Sequence, residues 1–227
     1  MSGPVRILIA AVLAAAAHVA VAQAPAGGFF LVAKPSILDS NFSRSVVLVT
    51  QSADGAILGV ILNRPTKQSL AEILPGNERL ARFTAPLHFG GPVEPAGLFA
   101  VFRGTGDPGP SFPVIEDVRL ALQPATVEQL LLKPPEALRL FVGYAGWAPG
   151  QLDGELARGD WWTVKADVDT IFRKNTDTLW DELSRRAQSV TALRERSSQR
   201  EDAKDAKKRE DLKEDSSRTS AFFAPLR

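Results

Sequence analysis

The sequence predicts an α+β domain built on a largely antiparallel sheet, and three observations carry this. Ser45–Leu62 reads as two apolar, β-branched segments around an Asp-Gly dipeptide, a hairpin pattern. Further strand-like runs alternate irregularly with short capped helical segments, without a repeating βαβ order. All of these lie in one core, Gly27 to Ala192, long enough for a sizeable hydrophobic interior and flanked by ends of different composition.

Phe29–Ala33 is a short apolar strand ahead of a Pro-containing turn. Ser45–Gln51 (SVVLVTQ) is a β-branched strand, Ser52–Gly55 is its turn, and Ala56–Leu62 (AILGVIL) returns. Both segments are apolar without alternation, which predicts a hairpin buried on both faces. Ser69 is positioned to cap a short helix, Ser69–Leu74, that stops before Pro75-Gly76. Leu87–Phe89 and Gly97–Phe102 are the next strands, separated by Gly90-Gly91-Pro92, and Gly104–Gly109 is a turn. Thr126 and Gln129 form a capping-box pattern that predicts a helix over Val127–Leu132. Leu138–Tyr144 is a strand, Pro149–Ala157 a helix with Gly159 beyond its end, and Trp161–Lys165 another strand. Asp177 is placed to cap a last helix, Thr178 to about Ala187, with Trp180 and Leu183 at i,i+3 spacing.

The 227 residues carry 27 Lys+Arg against 26 Asp+Glu, so no global basic field draws the chain to nucleic acid. Cysteine is absent, which removes disulfides, thiolate metal sites and cysteine nucleophiles together. Residues 1–22 have the form of a secretory leader: Arg6, an apolar run from Ile7 to Ala17, and Ala20-Val21-Ala22 before the expected new start at Gln23. The expected location is therefore periplasmic or secreted. Cleavage would take Arg6 and His18, leaving a net charge of zero and His88 as the one histidine. From residue 193 to 227 the chain is charged and apolar-poor, and is expected to be a disordered or partly helical solvated tail ending in a small apolar plug, Ala221–Leu226.

The chemistry-bearing residues are sparse. His88 could join Ser36 or Ser45 with Asp39 in a triad-like set, but no nucleophile-elbow pattern supports that, and it reads best as a strand histidine with a satisfied hydrogen bond. The core Asp and Glu residues form no ligand-spaced cluster, so no metal and no cofactor are expected, and Asp167 and Asp169 read as helix caps. Asp153 and Glu155 are two apart on a helix and point to different faces. Gly143–Gln151 runs from strand through a Gly-rich turn to a helix start. That geometry suits an anion, although tight turning at Gly143 and Gly146 with Tyr144 and Trp147 in the core is the better explanation. Asn63 reads as a turn cap and Arg64 as the partner of a buried carboxylate, Asp39 or Glu155. Gly90-Gly91-Pro92 reads as a tight crossing of backbones rather than a ligand cradle. Trp161 and Trp162 are adjacent in a strand, so one faces outward and points to a binding surface.

Four segments resemble the YqgE/AlgH family: Gly28–Val47 with its Pro35 turn, Asp39, Phe42 and Ser45-Val46-Val47; Gly59–Pro65 with Asn63-Arg64-Pro65; Phe89-Gly90-Gly91-Pro92-Val93; and Gly143–Leu156 followed by Trp161. Their order and spacing match from Gly27 to Gln188. The resemblance implies a single α+β domain whose bifurcated sheet curls into a pseudo-barrel with short flanking helices. It also implies a link to regulation of alginate synthesis without a settled activity. The leader, the charged tail, and Asp153 where the family usually has Glu are departures; an exported chain does not meet the chromosome.

The expected function is therefore that of a non-enzymatic binding or regulatory protein of this type, exported, with a peptide, protein or anionic small molecule as partner. Its candidate surface is Asn63, Arg64, Gly91, Tyr144, Gly146, Trp147 and Gln151. The alternatives are a cytoplasmic transcription-linked regulator, and a hydrolase of small esters or phosphates using His88, a serine and the Gly146–Gly150 turn.

Overall fold

The structure is a computed structural model that describes residues 27–52, 55–73 and 76–222. The leader therefore lies outside the described residues, as do Ala53 and Asp54 of the first turn, Leu74-Pro75, and Phe223–Leu226 of the apolar plug. Among the described residues the order is β1 (Phe29–Ala33), β2 (Val46–Gln51), β3 (Ile57–Ile61), β4 (Pro65–Ser69), α1 (Leu70–Ile73), β5 (Pro86–Phe89), β6 (Val93–Arg103), β7 (Phe112–Ile115) and β8 (Val118–Ala121). Then come α2 (Pro124–Leu132), β9 (Ala137–Trp147), α3 (Gln151–Arg158), β10 (Trp161–Lys165), α4 (Val168–Phe172) and α5 (Leu179–Phe222).

The strands form one sheet in the order β10-β1-β2-β3-β9-β6-β8-β7, and β4 joins through β5. All pairs are antiparallel except β5 with β9. β9 is where the sheet splits. Along one edge it pairs with β6 from Val93↔Tyr144 to Arg103↔Ala137. Along the other edge, β3 takes Ala145–Trp147 while β5 takes Phe141 and Val142.

Gly90 bridges the fork between β3 and β5. Its N–H donates to the Val142 carbonyl at 2.8 Å and its carbonyl accepts from Ile61 N at 2.9 Å. A Cβ on Gly143 would lie 2.2 Å from the Gly91 carbonyl oxygen, and one on Gly91 would lie 2.4 Å from that of Tyr144. The Gly90-Gly91 segment is thus the backbone crossing the sequence predicts.

The far edge curls back without closing the sheet. Thr50 Oγ1 donates to the Pro113 carbonyl at 2.6 Å, and Gly28 N donates to that of Val114 at 2.8 Å. The β2–β3 hairpin is buried on both faces, as its unbroken apolar character requires. Its alternate residues feed two cores. Phe30, Val46, Leu48 and Val60 face Phe99, Phe141 and the start of α5, whereas Phe29, Leu31, Val47 and Ile61 face Trp147, Leu152 and Trp161. A third cluster joins β6 and β8 to α2.

Several boundaries depart from the sequence reading. Ser69 does cap α1: its N–H donates to Glu72 Oε2 at 2.7 Å, and Glu72 N donates back to Ser69 Oγ at 3.3 Å. Thr126, by contrast, lies inside α2, which starts at Pro124 because proline suits the first helical turn; its Oγ1 donates to the Pro110 carbonyl. Asp167 caps α4 by accepting from Thr170 N, whereas Asp169, also expected to cap, lies inside its first turn. α5 starts at Leu179, one residue after the Thr178 whose carbonyl accepts Glu182 N. β4, β7 and β8 are not predicted by the sequence; all are short, and β4 and β7 contain proline.

α5 runs on to Phe222, since nothing between Leu179 and Phe222 is Gly or Pro and most positions are good helix formers. Its packing nevertheless ends at Ala187, and every residue from Gln188 to Lys204 is exposed. The base of α5 is anchored by Trp180 Nε1, which donates to the Ala33 carbonyl at 2.8 Å, with the Arg44 guanidinium stacked 4.1 Å above the indole.

Candidate functional site

The C-terminal end of β9, the N-terminal end of β10, helix α3 and the Lys34–Ser45 loop enclose a cleft of about 330 Å³. Its aromatic part follows from strand register. Trp147 ends β9 and Trp161 begins β10, both 6% exposed, with ring centroids 6.4 Å apart in an edge-to-face arrangement. Phe42 from the loop completes the group, at 5.8 Å from Trp161 and 6.3 Å from Trp147.

Glu155 organises these rings. Its Oε2 accepts both indole N–H groups, from Trp147 and from Trp161, each at 2.9 Å. Its Oε1 accepts Gln151 Nε2 at 3.0 Å, while Gln151 Oε1 accepts Ala148 N at 3.2 Å. Gln151 and Glu155 are i,i+4 on α3 and so share a helix face. Asp39 and the Arg158–Asp160 ion pair, 2.8 Å long, also line the cleft. Three carboxylates against one guanidinium make the lining net acidic.

Of the seven residues singled out in the sequence, Gly146, Trp147 and Gln151 line this cleft, and Gly91 precedes the lining residue Pro92. Tyr144 points to the other side of the sheet, edge-on to Phe99 at 5.2 Å, where burial and nearby Glu94 raise its hydroxyl above the ordinary value. Asn63 and Arg64 stand behind the cleft as supports. Asn63 accepts Val46 N at 2.8 Å and donates to the Arg44 carbonyl at 2.9 Å. Arg64 does not form the ion pair expected of it: Nη1 donates to the Ser40 carbonyl at 2.8 Å and Nη2 to that of Ser43 at 2.9 Å. Burial lowers its guanidinium below the ordinary value, and the nearby Asp39 charge opposes that shift. Arg64 therefore shapes the loop that carries Asp39 and Phe42.

Glu155 was legible only as a partner for Arg64; its i,i+4 relation to Gln151 was the signal for its actual place. Neither adjacent tryptophan of β10 faces open solvent. Trp161 lines the cleft, and Trp162 is half-buried with Lys34 Nζ 5.6 Å over its ring. His88 also departs from expectation: it is 7% exposed, and neither ring nitrogen has a hydrogen-bond partner. It meets none of the serines or Asp39 through its ring, so the triad-like set is not assembled.

The architecture is that of a curled, forked α+β sheet, with a rigid aromatic and acidic cleft where the fork's outer strands end. The chain belongs to the AlgH-like family, which matches residues 30–191. A UPF0301 protein of Streptomyces avermitilis is 35% identical over 175 residues, covering 73% of this chain and 89% of the relative. One from Mycobacterium leprae is 35% identical over 178 residues, covering 76% and 87%. The solution structure of AlgH from Pseudomonas aeruginosa shares the fold with a TM-score of 0.58 at 24% identity, over 72% of this chain and 91% of that one. A crystal structure from Corynebacterium diphtheriae gives 0.57 at 26% identity, over 72% and 88%. These names assign no molecular activity.

Proposed function

We propose that this protein is a non-enzymatic binding module that acts after export and presents the Trp147–Trp161–Glu155 cleft to a peptide or protein segment bearing a cationic side chain. One observation carries the reading. Glu155 is pinned by two indoles and a glutamine, so the aromatic walls are fixed before any ligand arrives, which reduces the ordering cost of binding. Asp39 and Asp160 add negative charge, and a Lys or Arg head group can meet these carboxylates while its stem lies on the rings. An anion is less suited to this lining, and Asp153 stands in the first turn of α3. Export is supported by the leader pattern of residues 1–22.

The test is a ¹⁵N–¹H spectrum of the four indole N–H signals during titration with two short amidated peptides that differ only in Lys against Glu. Saturable movement of the Trp147 and Trp161 signals with the Lys peptide alone is expected at about millimolar concentration. Equal response to both peptides, or none, would overturn the ligand class. Edman sequencing of the protein from fractionated cells tests export: a start at Gln23 in the envelope supports it, and an intact Met1 in the cytosol removes it.

A further inference from the structure

A second cavity, about 560 Å³, opens on the other limb of the forked sheet, between β5, the start of β9, the Phe83–Pro86 segment and the end of α4. Its walls are largely apolar, from Phe83, Pro86, Leu138, Leu140 and Phe172. Its inner end is not. Arg139 is 8% exposed and His88 7%, and both line the cavity. The pairing of β5 with β9 places them together: His88 lies opposite Phe141, and Arg139 is two residues back on the same face of β9.

Arg139 donates through Nη2 to the Arg173 carbonyl, but its Nη1 is buried without a partner, as are both nitrogens of His88. Arg139 takes part in none of the described ion pairs. The one carboxylate in the lining, Glu136, is exposed and bears on the half-buried Arg103 instead. A buried guanidinium with no counter-charge is costly, and such groups are ordinarily paired. Burial alone lowers Arg139, to about 10. Burial and the Arg139 charge push the His88 imidazole down to about 4, opposed by the Pro86 carbonyl, which is near the ring but outside hydrogen-bond geometry, so the ring is neutral at pH 7 and offers one N–H and one acceptor nitrogen.

We infer that this cavity is a binding site for a small organic monocarboxylate, its anionic head on Arg139 Nη1 and the His88 N–H and its apolar body against Phe83, Leu138 and Phe172. Charge balance selects the monoanion: one fixed buried cation faces the site, and a phosphate dianion would leave excess negative charge beside neutral His88. The volume lies in the range of ligand pockets and exceeds what a bare inorganic anion fills. Lys174, exposed at the rim, favours entry of an anion. This site is separate from the Trp147–Trp161 cleft, and each proposal stands without the other.

The experiment is calorimetric titration of the full chain with hexanoate, hexanamide and inorganic phosphate, in a carboxylate-free buffer at pH 7. Hexanoate is expected to bind saturably, and hexanamide, the same shape without charge, roughly tenfold or more weakly. Arg139→Met should lose hexanoate binding by a similar factor, and the shortened cation of Arg139→Lys should retain part of it. Because Arg139→Met removes an unpaired buried charge, its fold is expected to persist; should it not, the Lys variant and His88→Phe carry the comparison. Equal binding of hexanoate and hexanamide, tighter binding of phosphate than of hexanoate, undiminished binding by Arg139→Met, or no binding at all would each overturn the assignment.

Discussion

Trp147 and Trp161 come from different strands, yet both donate their indole N–H groups to the same oxygen of Glu155. Both rings are buried, so removing that oxygen leaves two largely desolvated donors without their acceptor. Hydrogen bonds to a charged acceptor, and the cost of orphaning two buried donors, are of order 1–3 kcal/mol each. Glu155→Ala is therefore expected to destabilise the fold by about 3 kcal/mol, and Glu155→Gln by less, because an amide oxygen remains. Urea unfolding followed by far-ultraviolet circular dichroism measures both. A loss below about 1 kcal/mol for the alanine variant would show that the two bonds do not hold the cleft.

The same fork that positions the cleft depends on glycine where backbones cross. Gly143 sits at φ +70°, and a Cβ there would lie 2.2 Å from the Gly91 carbonyl oxygen. Gly106 has open space around it and no left-handed backbone. Gly143→Ala combines a positive φ with a contact to unyielding backbone and is expected to cost about 3 kcal/mol or more. Gly106→Ala should change stability by no more than about 0.5 kcal/mol. Thermal unfolding of the pair decides the matter: similar midpoints would mean that the Gly91 segment can move away from β9 to admit a methyl group.

Arg64 acts on the cleft at one remove. Its two carbonyl contacts hold the turn in which Phe42 N and Ser43 N donate to the Asp39 carbonyl at 3.0 and 2.7 Å. Arg64→Ala should speed amide hydrogen exchange at Phe42 and Ser43 by roughly tenfold, and Arg64→Lys should rescue this only in part, since an ammonium lacks the fork that spans two acceptors. Lys67→Ala, at an exposed position of β4, is the control. Unaltered exchange in Arg64→Ala would mean that the loop is held by its own turns.

Legibility in the sequence followed how local each cause was. β1 and β10 were read to the residue because their apolar runs are bounded by turns, and Ser69 and Asp167 were read as caps because a cap is a contact across three residues. β4 escapes the sequence because a polar, proline-containing edge strand owes its pairing to β5, distant in sequence, and β7 and β8 escape it because four-residue strands are too short to show a period. Part of the cleft was legible through Gly146, Trp147 and Gln151. Glu155 was misassigned because only the fold brings β10 beside α3. The lack of an ion-pair partner for Arg139 among the described residues could not be read at all, since it is a property of three-dimensional packing.

His88 gives that packing a pH signature. Its imidazole titrates near 4 in the folded protein against an ordinary value of 6.5. Between these values the unfolded chain takes up a proton that the folded one refuses, so stability falls as pH drops from 6.5 to 4 and is fully present above 6.5. The loss is up to about 3 kcal/mol. Arg139, lowered only to about 10, holds its charge across this range, and exposed Lys174 and Glu136 line the same cavity. The Glu182 carboxylate, held near 2 by its bonds to Arg173, acts only below the ordinary carboxylate value and so at lower pH. His88→Phe should flatten the profile between pH 4.5 and 6.5 relative to the unsubstituted protein, measured by urea midpoints in carboxylate-free buffer. Parallel profiles for the two proteins would mean that the buried ring can accept its proton in the folded state.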